Sequence, residues 1–256
     1  MAEPPIPDAF RVGLEWGVAG ARASRAGVAV VVDVLSFSTS VCIAVERGMH
    51  VHPYAWKGTG AEEFASRHHA VLAVGRLEAT VDGAPAVPSL SPAGLLVCPP
   101  VPRLVLPSPN GSTIAAALQD AGATVLVGCL RNAAAVAERL ATELDRGASV
   151  VVIAAGERWG GDGSLRPALE DQLGAGAVLS ALASLGYGAA MSPEASAAAG
   201  LFQAAGSRLP EWLTHCVSGR ELIDGGFDSD VEVASALDVS RTVPALSGGW
   251  FRGDCS

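Results

Sequence analysis

The chain reads as an α/β protein, a three-layer α/β/α sandwich around a mostly parallel sheet, and three observations predict it. Short Val/Ala-rich strand patterns alternate with single helix patterns, as in successive parallel β-α-β units. The first helix patterns close on Gly48, Gly122 and Gly147, a common way for a helix to stop. One strand-to-helix junction occurs twice: Val28–Val32 runs into Asp33-Val-Leu-Ser-Phe-Ser-Thr-Ser40, and Leu104–Leu106 runs into Pro107-Ser-Pro-Asn-Gly-Ser-Thr113. The recurrence suggests two similar halves.

Each element follows from local signals. After strand 28–32, a helix is expected from Thr39 to Arg47 and a strand over Met49–Tyr54. Gly75–Pro102 is rich in proline and glycine, so a long connection or an internal border within 75–103 is expected in what otherwise reads as one unit, 1–256. The second junction leads to helix Ile114–Ala121 and strand Thr124–Val127. Asn132 is a good N-cap for helix Ala133–Leu144, ahead of strand Val150–Ala154. A Gly-rich loop, Gly156–Arg166, precedes a helix over about Asp171–Ser184. Ser192-Pro193 opens a further helix, short helices are expected over 209–217, 219–223 and 229–237, and Arg241–Val243 is expected as an edge strand.

Composition excludes several classes. A net charge of −9 offers no basic excess for nucleic acid. No uninterrupted apolar run approaches the roughly 20 residues that span a bilayer. The first residues, with Glu3 and prolines at 4, 5 and 7, lack the basic and apolar regions of a signal peptide, and a cytoplasmic location is expected. Five cysteines (Cys42, Cys98, Cys129, Cys216, Cys255) without a C-x-x-C pair fit reduced thiols, mainly core filler. Lys57 is the single lysine among 17 basic residues, and no P-loop surrounds it.

Chemistry is expected beyond the carboxyl ends of the strands, where ligands of open α/β sheets bind. Asp33 stands there directly after four valines and an alanine, an unusual place for a carboxylate with only a packing role. Ser36, Ser38 and Thr39 follow it, and Asn110-Gly111-Ser112 stands at the second junction. Backbone N–H groups and small hydroxyls at a helix start can hold an anion such as phosphate, although both stretches also suit ordinary caps and turns. Glu157 and Arg158 follow strand 150–154, suited to acid–base work and to clamping an anion, with a surface ion pair as the alternative. Glu170 and Asp171 open the next helix, where acidic residues also simply offset the helix dipole. Gly174 and Gly176 within that helix cost about 1 kcal/mol each relative to alanine and so mark a close approach. Asp33, Glu170 and Asp171 are an all-oxygen donor set for Mg²⁺, with Glu157 nearby in type; His50, His52, His68 and His69 lack the third ligand a zinc site needs.

The segments Val-Val-Asp-Val-Leu-Ser-Phe-Ser-Thr (31–39), Pro-Asn-Gly-Ser (109–112), Asn132-Ala, Ala-Gly-Glu (155–157) and Leu-Glu-Asp-Gln-Leu-Gly-Ala-Gly-Ala (169–177) together resemble the 2-phosphosulfolactate phosphatase (ComB) family. A weaker match continues through Gly219-Arg-Glu-Leu222, Asp230 and Val243-Pro244. The resemblance implies an α/β homo-oligomer that uses Mg²⁺ to hydrolyse the phosphate ester of a sulfonated hydroxy acid in coenzyme M synthesis. For such a reaction the residues themselves lead us to expect catalytic roles for Asp33, Glu157 and Asp171, metal ligation by Asp33, Glu170 and Asp171, and substrate contacts from Ser36, Ser38, Thr39, Asn110, Gly111, Ser112, Asn132 and Arg158. Two departures bear on the substrate: Ser36 stands where arginine is common in the family, and the Gly-Glu-Arg loop is reduced to Gly75-Arg76-Leu77-Glu78. The expected partner is a small phosphorylated anion. A binding or regulatory protein that has lost turnover is the alternative reading.

Overall fold

Residues 28–32 have no exposed face, because helices cover both sides of the strand they form. In the computed structural model, which describes residues 10–55, 60–76, 78–80 and 88–253, Val28, Val30 and Val32 point into one core and Ala29 and Val31 into another. The strands are β1 (Val12–Trp16), β2 (Val28–Val32), β3 (His50–Ala55), β4 (Val71–Leu72), β5 (Arg103–Ser108), β6 (Thr124–Gly128), β7 (Val150–Ala154), the small ribbon β8 (Glu157–Arg158) and β9 (Leu165–Arg166), then β10 (Pro244–Ser247) and β11 (Trp250–Gly253). The helices are α1 (Gly17–Ala23), α2 (Phe37–Glu46), α3 (Ala61–Arg67), α4 (Pro92–Val97), α5 (Gly111–Asp120), α6 (Ala133–Asp145), α7 (Leu169–Leu182), α8 (Pro193–Ala205), α9 (Leu209–His215), α10 (Val217–Asp224) and α11 (Asp228–Ser235). The first core unites one sheet face with Leu140 of α6, Leu173 and Val178 of α7 and Ala195 of α8. The second packs the other face against Phe37 and Ile43 of α2 and Ile114 and Leu118 of α5. The result is the three-layer α/β/α arrangement expected.

The main sheet has the order β1-β7-β2-β6-β10-β11-β3-β5-β4. Two parallel groups, β1-β7-β2-β6 and β3-β5-β4, flank an antiparallel hairpin. That hairpin corrects the expected edge strand at Arg241–Val243: the strand begins at Pro244 and lies in the middle of the sheet. Its physical cause is Gly248-Gly249, whose φ values of 58° and 81° allow a two-residue turn between paired Ser247 and Trp250. Phe251 then enters the core edge-on against Phe37, ring centroids 6.0 Å apart.

Three antiparallel steps separate the two groups, so β5 runs opposite to β2 by ladder. Strands in a sheet rotate by roughly 20–25° per step, and five steps from β2 to β5 accumulate roughly 100–125°. That rotation offsets the reversal and turns the end of β5 toward the end of β2. The described part of the proline-rich connection packs by Leu95 and Cys98 into the same core as α2.

The helical run Leu169–Ala190 is long and apolar enough to cross a membrane, yet half of it is buried in protein. Its small residues permit close packing. A Cβ on Gly174 would lie 2.4 Å from Val34 Cγ2, and one on Gly176 would lie 2.3 Å from the Ala198 carbonyl oxygen. The close approach marked by these glycines is therefore to β2 and α8. The four described cysteines are buried free thiols, while Cys255 and Lys57 lie outside the described residues.

Candidate active site

The two repeated junctions meet at one carboxylate. Asp33, 6 % exposed, follows β2 and receives the Phe37 N–H at the start of α2 on Oδ1 (3.3 Å) and the Gly111 N–H at the start of α5 on Oδ2 (3.1 Å). Gly111 is required for this approach, because a Cβ there would lie 2.3 Å from the Phe37 ring. Two helix N-termini thus converge on an anion that belongs to the protein itself.

Asp171 ties a second pair of strand ends together. From the first turn of α7 it accepts the Val34 N–H at 2.7 Å and the Gly156 N–H at 2.8 Å, joining the loops that leave β2 and β7. Glu170 beside it is buried, and the nearby Cys216 thiol, which donates to the Leu213 carbonyl at 3.2 Å, is pushed up to about 12 by burial first and then by Glu170. Glu157, half-buried at the start of β8, accepts the Asn110 amide at 3.2 Å.

Electrostatics follow from this crowding. Burial, then Glu157, raises Asp33 to about 7 against the lowering effect of its two N–H donors, and Glu170 adds to the rise. Burial and then Asp33 and Glu170 push Asp171 well up. Burial and Glu170 raise Glu157, while Asn110 and Arg166 pull it down. In all three, burial is the first cause of the rise and a neighbouring carboxylate the second.

The remaining expected residues divide into two sets. Ser36 and Glu157 border a cleft of about 580 Å³ that Arg76, Ser218 and Glu221 also line. Asn110, Glu157 and Arg158 border an adjoining pocket of about 180 Å³, and Arg158 donates to the Gly163 carbonyl at 3.2 Å. The other hydroxyls and one amide serve the backbone. Ser38 donates to Val31 and accepts from the Asp33 N–H, both at 2.9 Å; Thr39 donates to Val34 at 2.6 Å; Ser112 donates to Leu106 at 3.1 Å. Asn132 spends its amide on Cys129 N–H and on the Val127 and Thr242 carbonyls, which ties the entry of the C-terminal hairpin to the end of β6. Ser218 was not named from the sequence, and Arg76 and Glu221 appeared there only within matched segments, with no role assigned. The available signals were the cation in Gly75-Arg76-Leu77-Glu78 and the serine preceding Gly219-Arg-Glu-Leu222.

Whether the donor set suits a metal ion can be judged from its chemistry. Among the described residues no three His, Cys, Asp or Glu side chains form a ready-made cage. His52 instead stacks on Phe64 with centroids 4.3 Å apart. Carboxylate oxygens beside an open cleft suit Mg²⁺, which takes one or two carboxylates and fills its shell with water and phosphate oxygens.

The doubly covered α/β sheet thus gathers buried carboxylates at converging strand ends, where ligands of such sheets bind. A family model described as 2-phosphosulpholactate phosphatase matches residues 19–249, and the chain belongs to that family. Curated proteins contain no significant match to it.

Proposed function

We propose that this protein hydrolyses the phosphate ester of a small acid-bearing alcohol, 2-phosphosulfolactate or a close analogue, with Mg²⁺ as cofactor. The observation that carries the reading is the buried pair Asp33 and Glu170 with half-buried Glu157, which borders the cleft, and with Asp33 at the meeting point of two helix starts. Asp33 and Glu170 would hold Mg²⁺, with water and phosphate oxygens completing its shell, and the ion would supply neutralisation of the phosphate and of the charge that spreads over it during transfer. Asp171 is better placed as a positioning residue, since short bonds to Val34 and Gly156 occupy both its oxygens.

In this mechanism Ser36 and the Asn110 amide, at the walls of the two pockets, contact phosphate oxygens. Glu157, aligned by Asn110, accepts a proton from water as the water oxygen adds to phosphorus. The ester P–O bond breaks, and the same proton passes to the leaving alkoxide, so that alcohol and inorganic phosphate result. Direct attack by Asp33 is disfavoured because Leu35 stands where aspartyl-phosphate enzymes of the haloacid dehalogenase type need a second aspartate. The stereochemistry at phosphorus separates the two routes: with an ester chiral at phosphorus by oxygen isotopes, inversion supports direct attack by water, and retention supports a phosphoenzyme on Asp33.

The test of the function is a screen of phosphorylated hydroxy acids and sulfonates, with Mg²⁺ and with chelator. Mg²⁺-dependent release from 2-phosphosulfolactate or 2-phospholactate supports it. Thermal stabilisation by these esters without release under any divalent ion would overturn turnover in favour of a binding protein. A cytoplasmic homo-oligomer belongs to the same proposal, to be checked by sedimentation and by localisation of a tagged chain.

A further inference from the structure

The cleft wall facing the carboxylates carries a cation held in a fixed pose. Arg76, the cation that lines this cleft among the described residues, has its side chain 16 % exposed. Its Nε pairs with Asp230 Oδ2 at 2.7 Å, and its Nη2 donates to the Leu35 and Leu90 carbonyls at 3.0 and 3.1 Å. The Phe227 ring lies 5.5 Å from the guanidinium carbon. Asp230 is itself held by the Ser91 hydroxyl at 2.6 Å and the Ala93 N–H at 2.9 Å. Nη1 has no partner among the described residues, so two N–H donors of an already ordered guanidinium are left over.

An independent observation lies at the start of α10. Ser218 lines the same cleft, is 6 % exposed, and its Oγ is buried without a hydrogen-bond partner. A buried hydroxyl left unpaired costs about 1–3 kcal/mol, so such a group points to a ligand that completes it. The start of a helix adds partial positive charge at the same place.

We propose that Arg76 and Ser218 form a second anion subsite that takes the carboxylate or sulfonate of the substrate while its phosphate faces Ser36 and Glu157 in the same cleft. The proposal rests on the phosphatase reading for the identity of the ligand and extends it to the part of the molecule that does not react. Asp230 is a positioning residue that aims Arg76. Glu78, Glu157 and Glu221 also line the cleft, Glu221 on the same helix as Ser218, and they repel an acid group that is not seated on Arg76, which sets the direction of binding. Because the guanidinium is ordered beforehand, little side-chain freedom remains to be lost when the acid arrives.

The test compares two ligands by calorimetry in the presence of Mg²⁺: 2-phospholactate, which carries an acid, and isopropyl phosphate, which lacks one. The intact protein should prefer 2-phospholactate by about tenfold or more, the worth of one charge-assisted hydrogen bond. R76A should bring that ratio close to one, and R76K, which keeps the charge but loses the fork, should leave an intermediate ratio. S218A should lower the ratio by roughly threefold without lowering Tm in the absence of ligand, since it removes an unpaired group. A ratio unchanged in R76A and S218A overturns the subsite. If R76A does not fold, an unchanged ratio in R76K and S218A does the same. Failure of the two readings is distinguishable: a wild-type ratio near one with phosphate release intact refutes the subsite alone, whereas a high ratio without release refutes turnover alone.

Discussion

The two strand-to-helix junctions, 32–40 and 107–113, read alike in the sequence and do opposite work in the structure. The first contributes an acceptor, the Asp33 carboxylate; the second contributes a donor, the Gly111 N–H. The hydroxyls around them follow the same division, with Ser38, Thr39 and Ser112 all turned to backbone carbonyls and Ser36 left at the cleft. A small-residue junction at a helix start is therefore not in itself a phosphate cradle. Here one such junction holds the other's buried carboxylate, and on the proposed reading the phosphate meets the groups that remain.

The largest expected disturbance to this pairing is G111A. Its Cβ would fall on the buried Phe37 ring at 2.3 Å, so α5 must shift and the bond to Asp33 must break. We expect a loss of about 3 kcal/mol in urea unfolding; a change under about 0.5 kcal/mol would show that the two junctions are not in contact. D171A comes next. It strips the Val34 and Gly156 N–H groups of their acceptor and should cost about 2–4 kcal/mol, with phosphate release falling in parallel. Loss of release with unchanged stability would instead make Asp171 a direct participant.

The third prediction concerns pH. Asp33 holds its proton more tightly folded than unfolded, since burial and Glu157 raise it to about 7. Without a divalent ion, its contribution to stability is therefore greatest at low pH and is lost as pH rises from about 4 through about 7. Mg²⁺ must displace that proton, so Mg²⁺ affinity should rise by up to about tenfold per pH unit below about 7 and level off above it. Calorimetric titration at three pH values reads this directly, and a flat profile would contradict the assigned environment of Asp33. The smallest effect should come from S112A, which loses one bond to Leu106. About 1 kcal/mol of stability and at most roughly threefold in phosphate release are expected, and a larger loss of release would return Ser112 to the phosphate.

Elements built from strong local patterns were legible. Strands 28–32 and 150–154 emerge with the bounds expected, because continuous Val/Ala/Ile runs between turns admit little else. Less legible were Val12–Trp16 and Gly17–Ala23, which are short and take their order from pairing with β7 and packing beneath the sheet. The central hairpin did carry a signal in Gly248-Gly249, but nothing local says that it inserts between two parallel groups. Asp33 was visible as a carboxylate out of place for packing, whereas Glu157, Glu170 and Asp171 also suited a surface ion pair or a helix start. Their partners were not: Asn110 to Glu157, Asp171 to Gly156 and Asp230 to Arg76 are contacts between distant segments created by sheet twist and helix docking.

The account stands on Asp33 as the carboxylate through which cation and phosphate are brought together. The most direct measurement is Mg²⁺-dependent release of inorganic phosphate from 2-phosphosulfolactate by the wild-type chain and by D33N, with folding of both verified by circular dichroism. The account predicts release that chelator abolishes in the wild type and a loss greater than about a hundredfold in D33N. Release by D33N near the wild-type rate, with Mg²⁺ present, would contradict it.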